Sequence, residues 1–115
     1  MHRWWNEAWA GELDVIGELF AEPVIRHGIS GTKAQTHAEL KADMRQYLRV
    51  HQSPKVVIVD QSVAGDRVWS RVRSEGLNLE TGDMSTICWL QEHRIDDAGL
   101  IAEVWTLYSY DADWG

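Results

Sequence analysis

Scarcity shapes the first reading of this chain. It has one cysteine, Cys88, in 115 residues. No disulfide can form within the chain, and a lone thiol fits a reducing compartment. Only two prolines occur, Pro23 and Pro54, so nothing resembles a Pro-rich linker. One domain spanning residues 1–115 is expected. Basic residues are outnumbered, 11 Lys and Arg against 18 Asp and Glu, for a net charge of −7. That charge repels phosphate backbones and anionic headgroups, so neither nucleic acid nor membrane is expected as a partner. No apolar run approaches the roughly 18 residues of a membrane span, and no cationic–apolar leader is visible. A soluble, cytoplasmic protein is expected. The histidines at 2, 27, 37, 51 and 93 lack spacings such as H-x-x-x-H or H-E-x-x-H. No metal and no cofactor is therefore expected.

Tryptophan, in contrast, is abundant, with seven in the chain. A bulky ring with one N–H donor, repeated so often, points to a heavy aromatic core or an aromatic-lined cavity. Residues 3–10, RWWNEAWA, suit a helix that sets Trp5 and Trp9 one turn apart on one face. After Gly11, Leu13, Ile16 and Phe20 continue a helical stripe. Val24–Ile25 follows Pro23 and reads as a short strand ending at His27, with residues 28–31 as a loop. Thr36 and Glu39 form a capping box, and Leu40, Met44, Tyr47 and Leu48 mark the buried face of the helix it opens. Everything beyond Pro54 reads as long strands: 55–63, 67–76, 84–95 and 100–110, separated by turn residues. Helices first and an antiparallel meander after them describe an α+β fold.

Four stretches, in order, carry a family resemblance. They are WNEAWAGELDVIGELFAE at 5–22, VIRHG at 24–28, AGDRVWSRVRSEG at 64–76 and DDAGLIAEVWTLYS at 96–109. Together they resemble the SnoaL-like polyketide cyclases of the nuclear transport factor two-like and ketosteroid isomerase-like superfamily. The resemblance implies a cystatin-like, cone-shaped α+β barrel, a curved antiparallel sheet wrapped around N-terminal helices. It further implies a deep apolar pocket and a homodimer formed through the outer sheet face. The fold hosts isomerases, cyclases, dehydratases and non-enzymes, so it does not fix a reaction. Several relatives carry an acid four residues after the closing-strand Trp, where this chain has Ser109. The Arg-x-Asp pair of the epoxide hydrolases is replaced by Arg71-Val-Arg73, which argues against epoxide opening.

Strand alternation then yields an expected pocket map. The resemblance places Glu103 and Trp105 inside, and Ile101, Leu107 and Ser109 share their parity. Ile25 and His27 are assigned inside with them. Trp5, Trp9, Tyr47 and Trp89 complete the expected lining. Trp69, Arg71, Arg73 and Glu75 share one face, read as the outer one; with the strand rotated, Arg71 would instead enter the pocket as an oxyanion donor. An imidazole titrates near ~6.5 and can take or give a proton near neutrality. A carboxylate among apolar neighbours needs a partner, and His27 or an arginine is the natural one for Glu103. The expected activity is general acid/base chemistry by His27, oriented by Glu103, on a hydrophobic carbonyl-bearing or cyclic small molecule. The alternative is a non-catalytic ligand-binding or dimerisation domain of the same fold.

Overall fold

The structure is a computed structural model that describes residues 2–110, the side chains of His2 and Ser53 excepted. The N-terminal segment breaks into short pieces: helix α1 (His2–Asn6), 3-10 turns at Ala8–Ala10 and Leu13–Val15, and helix α2 (Ile16–Leu19). Strand β1 (Phe20–Gly28) follows directly, then β2 (Gly31–Gln35) and helix α3 (His37–Val50). Four long strands follow among the described residues: β3 (His51–Ala64), β4 (Arg67–Asn78), β5 (Met84–Ile95) and β6 (Ile101–Tyr110). They form one mixed sheet in the order β2-β1-β6-β5-β4-β3. Every neighbouring pair is antiparallel except β1 and β6, which run parallel.

Two sequence expectations need adjustment. Residues 28–31 are not an open loop; Ile29 and Ser30 alone form a turn, with Gly28 paired to Gly31. Gly31 sits at φ 110°, a conformation that glycine adopts without a Cβ penalty. Phe20 opens β1 rather than closing a helix.

Helix α3 starts where the capping box places it. The Thr36 hydroxyl accepts from the Glu39 N–H at 3.2 Å, and Glu39 accepts from the Thr36 N–H at 3.1 Å. Both bonds satisfy N–H groups that a helix start leaves without carbonyl partners. Thr36→Ala should therefore cost about 1 kcal/mol of stability. Urea unfolding should show it as a lower midpoint at unchanged slope.

The helices cover one face of the sheet, and tryptophans fill the space between. Trp5 and Trp9 stack at 5.4 Å between ring centroids, as their one-turn spacing predicts. Trp9 meets Tyr47 and Trp89 edge-on at 4.9 and 5.2 Å, and Trp4 meets Phe20 at 5.1 Å. Leu40 and Met44 of α3 close this core from above, against Val24, Val72 and Val104 of the sheet. Burial pushes the Tyr47 hydroxyl up to about 12, so it stays protonated in contact with Ser74.

Candidate active site on the open sheet face

The sheet's covered face is set by which residues lie buried under the helices. On β5 these are Trp89, Gln91 and His93; on β4, Ser70, Val72 and Ser74. On β6 Val104 is buried in the core, and so is Ile101, three residues earlier. Strict alternation forbids that pairing. The register explains it: Arg94 pairs with Glu103 and Ile95 with Ile101, so an extra residue, Ala102, bulges from β6. The bulge reverses the facing of everything after it relative to a count begun at Ile101. Glu103, Trp105, Leu107 and Ser109 thus lie on the open face, away from the helices. That overturns their expected place inside the cone.

Ile25 and His27 are corrected in the same way. Val24 is fully buried, so β1 turns Val24 and Arg26 toward the helices and Ile25 and His27 outward. An arginine on the covered face is tolerated because it is held. Its guanidinium donates to Gln35 Oε1 at 2.9 Å and to Asp43 Oδ2 at 3.4 Å. Burial lowers its pKa, with Asp43 opposing. Trp5, Trp9, Tyr47 and Trp89 do lie on the covered side, but as packed core. Trp69, Arg71, Arg73 and Glu75 alternate with the buried residues of β4 and face outward, as the parity map has it.

The two residues expected to carry chemistry are nonetheless brought together. Parallel pairing sets Ile25 beside Glu103 and His27 beside Trp105. His27 Nε2 lies 2.6 Å from Glu103 Oε2. Arg94 Nε donates to the other carboxylate oxygen, Oε1, at 3.0 Å. The His27 hydrogen bond, assisted by Arg94, holds the Glu103 carboxyl below the usual carboxylate range. An ionised carboxylate only accepts hydrogen bonds, so the Nε2 atom carries the proton and donates it. The remaining ring nitrogen, Nδ1, sits 2.8 Å from the Thr32 hydroxyl across the hairpin. The ring itself stacks on Trp105 at 5.0 Å and 10° between planes. The Arg67 guanidinium lies over the same indole at 5.0 Å.

A second ionic cluster continues this surface. Arg67 donates to Glu92 at 2.7 Å, and the Trp69 indole N–H donates to the other Glu92 oxygen at 3.0 Å. Between the clusters runs an apolar groove of about 430 Å³, its walls including His27, Trp69, Leu90, Trp105 and Leu107. That volume suits a small organic ligand. Sequence reasoning missed Thr32, Arg94 and Glu92. Thr32 was within reach: it is the residue opposite His27 once a two-residue turn is recognised. Among the described residues no cluster of three or more His, Cys, Asp or Glu side chains could hold a metal ion.

The match to known families follows this architecture. The SnoaL-like domain matches residues 1–104, nearly the whole chain. The chain belongs to the SnoaL-like family. No curated protein matches it. Among solved structures, this SnoaL-like chain superposes on IdmH from Streptomyces antibioticus, a candidate polyketide cyclase, with a TM-score of 0.78 at 21% identity, covering 90% of this chain and 85% of that one. A candidate SnoaL-like polyketide cyclase from Jannaschia gives 0.79 at 21% identity, with 96% and 81% covered. A protein of ketosteroid isomerase-like fold from Catenulispora acidiphila, in complex with trimethylamine, gives 0.77 at 19% identity, with 91% and 82% covered. At these identities the likeness establishes the fold. No helix among the described residues of this SnoaL-like domain is long and apolar enough to cross a membrane.

Proposed function

We propose that this SnoaL-like protein is a small acid/base enzyme, working without a cofactor on a hydrophobic carbonyl-bearing or cyclic molecule. The observation that carries the reading is the 2.6 Å contact between His27 Nε2 and Glu103 Oε2, with His27 itself in the wall of an apolar groove. Glu103 is anchored by Arg94, so it fixes the ring's tautomer and stabilises the imidazolium that forms on proton uptake. Nδ1 is then the basic nitrogen. It exchanges a proton with substrate through the Thr32 hydroxyl or in its place. Trp105 holds the ring plane, and Trp69, Leu90 and Leu107 supply apolar surface for the substrate's rings. The test is proton exchange at the α-carbon of a cyclic ketone, with His27→Ala as the deciding variant.

The groove lies open on a sheet face where Leu90, Leu107 and Trp69 are exposed. Contiguous exposed apolar surface of this kind marks an interaction site. A second copy of the chain laid on this face would close the groove and exclude water, so a homodimer belongs to the proposal. Size-exclusion chromatography with light scattering should give a dimer for the wild type and a monomer for Leu107→Glu. A wild-type monomer at high concentration would reject the homodimer.

A second reading is a non-catalytic ligand-binding or dimerisation domain. One observation favours it: the covered side of the sheet is packed with Trp4, Trp5, Trp9 and Trp89. Absence of any His27-dependent proton exchange, with binding of an apolar dye retained, would favour this reading.

A further inference from the structure

We propose that Thr32, His27 and Glu103 form a hydroxyl–imidazole–carboxylate triad in which the Thr32 hydroxyl attacks small activated carboxylic esters. The proposal shares the His27–Glu103 pair with the function above and adds a nucleophile to it.

Three features of the chain build this arrangement. The first is the fixed tautomer. Glu103, ionised and tied to Arg94 at 3.0 Å, accepts the Nε2 proton. In the neutral ring the lone pair then falls on Nδ1, which lies 2.8 Å from the Thr32 hydroxyl, and that hydroxyl is placed to donate to it. A hydroxyl donating to a basic nitrogen, itself oriented by a carboxylate, is the general geometry of an activated nucleophile. The two ring nitrogens exchange the roles they have in serine hydrolases, but the order of groups is the same.

The second feature is the hairpin. Gly28 pairs with Gly31 around a two-residue turn, and His27 pairs with Thr32 next to it. In such a hairpin the pair at the turn is the hydrogen-bonded one, so the following pair is not, and its side chains come closer together. The same alternation points the Thr32 backbone N–H away from β1. Strand β2 ends the sheet order, so that N–H faces the open edge, where a developing oxyanion could accept from it. The third feature is rigidity. The imidazole is clamped by Glu103, Thr32 and the Trp105 stack at once.

The Thr32 proton passes to His27 Nδ1 while Oγ bonds to the ester carbonyl carbon. The imidazolium then protonates the departing alkoxide as its C–O bond breaks, which leaves an acyl-threonine and a free alcohol. Water gives a proton to Nδ1 and bonds to the acyl carbon. The Thr32 oxygen leaves, recovers the proton, and the carboxylic acid departs. Glu103 remains ionised throughout and stabilises the imidazolium.

The experiment uses p-nitrophenyl acetate with the full chain, read by peptide mass spectrometry. Wild type should show an acetyl ester on the peptide bearing Thr32 and a burst of nitrophenolate. Thr32→Ser should retain both, whereas Thr32→Val and His27→Ala should lose both. Acetyl groups on lysines alone, or a burst of equal size in Thr32→Val, would overturn the proposal. The readout sits on Thr32 itself and so separates two failures. No acetyl-threonine alongside His27-dependent ketone exchange removes only the nucleophile, while loss of both removes the acid/base reading as well.

Discussion

Replacing His27 with alanine is expected to slow α-proton exchange in 2-tetralone by about 10²–10⁴-fold, the usual worth of a positioned general base. The ketone suits the test because its two fused rings match an apolar groove of about 430 Å³, and deuterium incorporation reports proton abstraction directly by NMR. The fold should survive the change. The His27 side chain is 27% exposed, and the β1–β6 ladder is held by backbone bonds that alanine keeps. Glu103→Gln should give a smaller loss, since the amide still occupies the site but no longer stabilises an imidazolium. Exchange that is unchanged in His27→Ala, with the wild type active, would sink the assignment of His27 as the base. The comparison also guards against a general surface effect: His37 lies elsewhere, hydrogen-bonded to the Phe20 carbonyl at 2.8 Å, and His37→Ala should leave the exchange rate alone.

Much of the fold was legible because local rules agreed with one another. The capping box at Thr36 and Glu39 set the start of α3. The one-turn spacing of Trp5 and Trp9 gave a stacked pair, and β-branched alternation marked the long strands. The orientation of those strands was less legible, for a definite reason. A bulge at Ala102 adds one residue to β6 and places Ile101 and Val104 on the same face. No turn residue or glycine announces it. The resemblance places Glu103 and Trp105 inside, and unbroken parity adds Leu107 and Ser109 on the wrong side and ties Ile101, which is buried, to the same face. In β1 the count itself was correct, and Ile25 does share a face with His27. The choice of face failed because Arg26 is the inward residue, and a half-buried arginine is credible only once Gln35 and Asp43 are known to hold it. The His27–Glu103 contact could be anticipated as a pair of complementary groups. The parallel pairing of β1 with β6 that creates it joins residues 76 apart and leaves no local signal. Thr32 escaped for a simpler reason, since its partnership with His27 depends on a turn of two residues rather than four.

His93 supports the other large prediction, and it concerns stability. The side chain is wholly buried on the covered face, and neither ring nitrogen has a hydrogen-bond partner among the described residues. Val68 and Val104 flank it on β4 and β6. Burial drives its pKa down to about 3, with the Arg26 charge acting in the same direction. The imidazole is therefore neutral in the folded protein, while the unfolded chain protonates it near ~6.5. A depressed folded value means that stability is complete above ~6.5 and is lost as the pH falls from there toward 3. The slope approaches about 1.4 kcal/mol per pH unit, so roughly 2 kcal/mol should vanish between pH 6.5 and 5, before most carboxylates titrate. His93→Leu fills a similar volume without polar atoms. It should raise stability at pH 7 by about 1–3 kcal/mol, the penalty of an unsatisfied buried polar group. Below pH 6.5 the gap between variant and wild type should widen further. Urea unfolding at pH 7, 6 and 5 measures both effects, and the difference between the two proteins cancels every titration they share. A constant gap across that range would mean that His93 protonates as readily in the folded state as in the unfolded one. A variant less stable than wild type at pH 7 would mean that the imidazole makes favourable contacts which leucine cannot replace.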